Sequence, residues 1–165
     1  MTIKVGDKLP EATFMVMTAD GPKPQTTAEV FKGKKVALFA VPGAFTPTCD
    51  QKHMPGFVDR VAELKAKGFD TVACTSVNDV FVMKYWADST KAAGKILMLA
   101  DGSADFATKC GLSMDLGARG MGVRSRRYAM AVEDGVVKIL NLEELGPNFG
   151  VSSAESLCSM IDRSL

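Results

Sequence analysis

The chain has no C-x-x-C pair. Its four cysteines, Cys49, Cys74, Cys110 and Cys158, stand far apart, and His53 is its only histidine. That spacing argues against a tetrahedral zinc site and against a vicinal dithiol. Net charge is almost absent as well: 20 Lys and Arg against 19 Asp and Glu leave +1. No global field draws such a chain to nucleic acid or to an anionic membrane. Long apolar runs are missing too. The longest, such as Val36 to Pro42, have the length of a strand and fall far short of the roughly 20 residues a spanning helix needs. The opening segment MTIKVGDKLPEATF has neither the charged-then-apolar order of a secretory signal nor the Arg and Ser richness of a transit peptide. A cytoplasmic location is therefore expected, with an organelle as the alternative if a transit peptide has been removed. Repeats, linkers and low-complexity stretches are also absent. What remains is 165 residues, 47% of them hydrophobic. This is enough for one domain spanning 1–165 whose core needs no disulfide or structural metal. In a reducing compartment the cysteines are expected as free thiols, and the question becomes which is reactive and which are small buried hydrophobes.

Patterning gives alternating strands and helices. Lys35 to Val41 is a buried strand. Helical sequence follows from Pro47, is expected to break around Pro55 and Gly56, and resumes as FVDRVAELKAKG. Asp70 to Val77 is a second strand, and Asn78 is placed to cap the helix through DVFVMKYWADSTKAA. A strand at Lys95 to Ala100 and a helix at Ser103 to Cys110 come next. After Arg126 the pattern changes: RRYAMAVE and VVKILNLE flank Asp134-Gly135, a strong hairpin signal. A last helix begins at Ser152-x-x-Glu155, which reads as a capping box, and places Ala154, Leu157, Cys158 and Ile161 on one face. The sum is an α/β fold of the thioredoxin-like kind, with a mixed central β-sheet flanked by helices.

Chemistry concentrates in PGAFTPTC, Pro42 to Cys49. A strand ends at Val41 and a Pro-Gly turn follows. Thr46-Pro47 then reads as an N-cap with proline at the first helical position, so Cys49 is the third residue of a helix. There the free backbone N–H groups and the positive end of the helix dipole favour a thiolate. The Thr46 hydroxyl can turn toward the sulfur or a bound oxygen. A hydroperoxide needs a thiolate in line with its O–O bond and donors where negative charge develops.

PGAFTPTC, followed in order by KHMPGF, SVNDVFVMKYW, LADGSADF and GVRSRRYAM, resembles the type II, peroxiredoxin 5-like group of peroxiredoxins from plants and bacteria. The likeness runs from about residue 5 to the end. It implies that Cys49 is the peroxidatic cysteine, that Thr46 binds and activates the peroxide, and that Pro42 shields the site from water. Arg127 matches the arginine that holds the thiolate and polarises the peroxide. The resemblance further implies a homodimer formed around the active-site face, with no metal or organic cofactor. It also implies reduction of hydrogen peroxide and alkyl hydroperoxides, with glutathione and glutaredoxin or thioredoxin as the thiol donor.

Other residues carry competing readings. Cys49 could be an inert capping cysteine, and without the resemblance Arg127 would read as one surface arginine beside Arg124 and Arg126. His53, one turn after Cys49, could accept its proton, although orientation or packing is the preferred reading. Cys74 lies where plant-like members carry a second cysteine proposed to resolve the sulfenic acid, and a buried strand thiol is the alternative. The segment GVSSAES lacks the cysteine that other members carry before the last helix. Cys158 and Cys110 read as structural. Gly117-x-x-Gly120-x-Gly122 lacks the dinucleotide-binding order and reads as a mobile loop. Two other classes compete with the peroxidase: a thiol-disulfide oxidoreductase, which would need the missing dithiol, and a binding module with an idle cysteine.

Overall fold

The structure is a computed structural model that describes residues 1–146 and 148–165. Its strands and helices follow in the order β1 (Thr13–Thr18), β2 (Gly21–Thr26), α1 (Thr27–Phe31), β3 (Lys35–Ala40), a π-helical turn (Cys49–His53), α2 (Met54–Ala66), β4 (Thr71–Ser76) and α3 (Val80–Ser89). Then come β5 (Leu97–Ala100), α4 (Asp105–Lys109), β6 (Ser113–Leu116), β7 (Gly122–Ser125), β8 (Tyr128–Glu133), β9 (Val136–Leu142) and α5 (Ala154–Ser164). Seven strands form one sheet in the order β2-β1-β5-β4-β3-β8-β9. The β3–β4 and β4–β5 pairs are parallel and the outer pairs antiparallel, so the sheet is mixed.

The central strand β3 is apolar at nearly every position because both of its faces are covered. Ala37, Phe39 and Val41 point into one core layer, together with Cys49, Phe57, Cys74, Trp86 and Leu157. Val36, Leu38 and Ala40 point into the other, with Phe14, Phe106, Cys110 and Tyr128. The two-residue period of strands makes this division. On β8 it sends Ala129 and Ala131 to the first layer and Tyr128 and Met130 to the second. Phe39 stacks on Phe57 with ring centroids 4.1 Å apart and planes within 5°. Such a pair adds about 1 kcal/mol beyond its burial.

The expected hairpin forms at Asp134-Gly135. Both residues have positive φ, 48° and 75°, the combination a tight turn between twisted antiparallel strands requires. Several local expectations are corrected. The helix does not break at Pro55: it continues through it, and the irregularity is the π turn just before. Met54 N–H reaches back five residues to the Cys49 carbonyl, widening the helix where proline has no N–H to give and needs room. Asp79, not Asn78, caps α3 by accepting from Val82 N at 2.8 Å. Ser153, not Ser152, caps α5. The glycines after residue 116 lie in and beside a short connecting turn. They turn the β6–β7 hairpin through a single 3-10 turn at Gly117–Arg119. The β1–β2 hairpin, with Pro22 and Pro24 on its outer strand, was not anticipated at all.

Candidate active site

Cys49 lies just beyond the carboxyl end of β3, where the chain turns through Pro42 to Thr46 and enters helix at Pro47. Asp50 N–H donates to the Thr46 carbonyl at 2.8 Å, so Thr46 occupies the cap position and Cys49 is the third helical residue. The Thr46 hydroxyl does not cap. It donates to the Gly43 carbonyl at 2.6 Å, which leaves its oxygen lone pairs as acceptors. Between them Phe45 is exposed and has φ of +65°, a left-handed conformation usual for glycine that costs a bulky residue about 1–2 kcal/mol. Asn78 holds this loop from outside: its Oδ1 accepts from Ala44 N at 3.0 Å and from Ser76 Oγ at 2.6 Å. That duty explains why Asn78 is not the cap of α3. On the far side Trp86 Nε1 donates to Asp50 Oδ1 at 2.8 Å and ties α3 to the turn after Cys49.

Although Pro47 at the helix start is exposed, Cys49 itself is fully buried, and Pro42, Thr46 and Arg127 are half-buried. Arg127, at the entrance to β8, donates from NH2 to Cys49 Sγ at 2.9 Å. Its NH1 faces His53 Nδ1 at 3.0 Å, and His53 Nε2 faces the Ser152 carbonyl at 2.8 Å. A guanidinium can only donate and a carbonyl can only accept, so these two partners fix the imidazole as the Nε2–H tautomer. Burial, then the Arg127 charge, lower the His53 pKa to about 3, against a smaller opposing pull from the Ser152 carbonyl. A neutral ring whose one lone pair already receives Arg127 cannot take the Cys49 proton. What it does geometrically is aim the guanidinium.

One more shell holds the aim. The Glu143 Oε2 accepts from Gly150 N, Ser152 N and Ser152 Oγ at 2.8, 2.7 and 2.7 Å, and Glu143 N donates to the Arg127 carbonyl. Burial works to raise the Glu143 pKa, but these bonds and the nearby Arg127 outweigh it and hold the pKa below the usual range. The carboxylate thus seats the loop that presents the Ser152 carbonyl to His53. The aromatic rings of Phe39, Phe57 and Phe149 enclose the imidazole at 5.0, 5.6 and 5.2 Å.

The other thiols differ. Cys74 is fully buried in the middle of β4, in register with Phe39, and burial followed by the proximity of Cys49 pushes its pKa well up. Cys110 is pushed to about 12 and Cys158 to about 11, in both cases chiefly by burial. All four cysteines are free. Among the described residues no group of three His, Cys, Asp or Glu is placed to hold a metal ion, and no helix is long and apolar enough to cross a membrane. A cleft of about 700 Å³ between β1, β5 and α3 does not include Cys49, so cavity size alone does not mark the site.

Of the expected residues, Arg127 thus touches both Cys49 and His53, with Thr46 one turn away and Pro42 in the same loop. Asn78, Glu143 and Ser152 were missed as supports. In the sequence Asn78 and Ser152 read only as helix caps, and Glu143 sits in a strand exit with no local signature.

A thioredoxin-like sheet with a lone, arginine-paired cysteine at a helix start defines a thiol-based redox enzyme without a dithiol. The comparisons agree. The Redoxin family model matches residues 4–157. The chain is 54% identical over 161 residues to the chloroplastic peroxiredoxin-2E-2 of Oryza sativa subsp. japonica, covering 94% of this chain and 71% of that protein. It is 44% identical to peroxiredoxin-2B of Arabidopsis thaliana, covering 94% and 96%. Among solved structures it superposes with a TM-score of 0.93 on reduced Prx3 of Vibrio vulnificus in complex with hydrogen peroxide, at 48% identity and 97% and 99% coverage. The chain belongs to the redoxin family and within it to the type II peroxiredoxins, thiol-dependent peroxidases.

Proposed function

We propose that Cys49 reduces hydrogen peroxide and alkyl hydroperoxides through a sulfenic acid, with Arg127 and Thr46 as its catalytic partners. The 2.9 Å contact from Arg127 NH2 to Cys49 Sγ carries this reading. The guanidinium and the N–H groups at the helix start are donors at the sulfur where the reaction takes place. The thiolate attacks the terminal oxygen of ROOH. An S–O bond forms, the O–O bond breaks, and RO⁻ leaves and takes a proton to become ROH. Thr46 Oγ, whose own proton is committed to Gly43, accepts the peroxide O–H and turns the distal oxygen toward sulfur. Arg127 then serves twice, on the attacking sulfur and on the oxygens where charge builds. Pro42 shields the loop from water. His53 acts as a positioning residue for Arg127.

Recycling is assigned to an external thiol, glutathione with glutaredoxin in preference to thioredoxin. Cys74 lies mid-strand behind the helix start, and a direct bridge to Cys49 would require the first turn to unwind, because a disulfide needs Cα atoms about 4.4–6.8 Å apart and matching Cβ directions. Such a cycle needs a compartment that supplies reduced thiols, the cytoplasm or an organelle interior such as the names of the chloroplastic relatives indicate. The exposed Phe45, Phe81 and Tyr85 support a homodimer across the active-site face, and the whole of 1–165 is taken as one domain. Rapid mixing with peroxide, followed by intact-mass and peptide mapping, tests the assignment. Oxygen should appear first on Cys49, and Cys49→Ser should not consume peroxide. First oxidation at another cysteine would refute it.

A further inference from the structure

A second arginine stands at the rim of the Cys49 loop and takes no part in the peroxide chemistry. Arg124, half-buried on β7, donates from Nε to the Met121 carbonyl at 2.8 Å and from NH1 to the Pro42 carbonyl at 3.3 Å. These two bonds fix its guanidinium against the loop that carries Thr46. Gly43 makes the approach possible. A Cβ there would stand 3.1 Å from Arg124 NH1 and 3.1 Å from Thr46 Cγ2, so the guanidinium and the Thr46 side chain meet across a single glycine.

The charge of Arg124 has no counterpart. Among the described residues no carboxylate pairs with it. Its two acceptors are neutral carbonyls, and a guanidinium has five N–H groups to give, so three remain. The neighbouring arginines are differently placed. Arg127 spends both terminal nitrogens on His53 and Cys49, and Arg126 NH2 reaches the Glu143 carbonyl. An anchored guanidinium with free donors matches a carboxylate. A peroxide carries no such group, but the thiol that must follow it to the same sulfur can.

We propose that Arg124 recognises the reducing thiol, binding a carboxylate of an anionic thiol while that thiol attacks the Cys49 sulfenic acid. This rests on the peroxidase cycle above and names the class of its second substrate. In the step, the thiol sulfur attacks Cys49 Sγ, an S–S bond forms, the S–O bond breaks, and the hydroxide leaves with the thiol proton as water. A second thiol then attacks the donor sulfur of the mixed disulfide: a disulfide between the two donors forms, the bond to Cys49 breaks, and Cys49 leaves with the attacking thiol's proton. A neutral thiol gains nothing from a cation at the rim, so the signature is selectivity between anionic and neutral thiols, weakened by salt.

The test separates the two half-reactions. Cys49 is oxidised with one equivalent of hydrogen peroxide, the sulfenic acid is verified by mass, and the protein is mixed with glutathione or with glutathione dimethyl ester. Loss of sulfenic acid is followed by quenched flow. In Arg124→Gln the ratio of the glutathione rate to the ester rate should fall about tenfold from the wild-type value. The wild-type ratio should also shrink when ionic strength rises from about 0.05 to 0.5 M. A ratio unmoved by the substitution, whether both rates fall together or neither does, overturns the proposal. That comparison holds even if the variant disturbs the loop, because both thiols meet the same loop. Absence of sulfenic acid in the wild type after the first mixing would remove the cycle itself, and this proposal with it.

Discussion

Cys49 and Cys74 are both fully buried in the same core layer, yet their surroundings differ in kind. Cys74 is held mid-strand with apolar neighbours and only a 4.0 Å contact from its sulfur to the Thr75 carbonyl. Burial can then only penalise its charged form. Cys49 stands at a helix start and receives an N–H of Arg127, and that arginine is itself aimed by a neutral imidazole, a carbonyl and a carboxylate. Burial does not make a thiol reactive. Burial together with a fixed donor creates a dry site in which charge can be stabilised where it develops.

The largest expected effect breaks that contrast outright. Cys49→Ser should lower peroxide consumption to background, whereas Cys74→Ser should keep the wild-type rate of the first oxidation, both measured by stopped flow with one equivalent of peroxide. Next comes the donor. Arg127→Ala should slow the attack by roughly 10²-fold or more, and Thr46→Val by a similar order, with circular dichroism unchanged. Equal rates in either variant would show that the site works without that residue.

A third effect concerns how the donor is aimed. His53 is neutral in the folded protein with its pKa lowered to about 3, while an exposed histidine titrates near 6.5. Between those values the unfolded chain binds a proton that the folded one does not, so stability should fall as pH drops from about 6.5 toward 3, by up to a few kcal/mol. His53→Gln should remove this share of the slope in denaturant titrations across that range. His53→Ala should also cost about tenfold in peroxide rate, since Arg127 then loses its acceptor. A wild-type slope that persists unaltered in the variant would exclude His53 as its source. The smallest effect is on recycling: with glutathione and glutaredoxin, Cys74→Ser should stay within about twofold of wild type. Its steady-state loss, together with a Cys49–Cys74 bridge found by mass spectrometry, would make Cys74 the resolving residue.

Much of this was legible in the chain. The period-two runs at Val36 to Val41 and in β8 fix which side chains share the core layer with Cys49, and Thr46-Pro47 fixes the helix start. Asp134-Gly135 sets the hairpin that brings Glu143 back beside Arg127. What escaped was whatever depends on tertiary partners. Asn78 and Ser152 have the chemistry of caps, and local sequence cannot tell that Ala44 and Glu143 claim them first. Pro55 reads as a break unless the widened turn before it is known. The burial of Cys49 follows from how helix and sheet close over it, and no local pattern encodes that.

The central claim is that Arg127, aimed by His53, makes the buried Cys49 the residue that attacks peroxide. Its most direct test is the millisecond rate at which one oxygen appears on Cys49, read by quenched-flow mass spectrometry in wild type and Arg127→Ala. Oxygen should add at Cys49 alone in the wild type, and at a rate roughly 10²-fold lower in the variant. Equal rates, or oxygen appearing first on Cys74, Cys110 or Cys158, would contradict it.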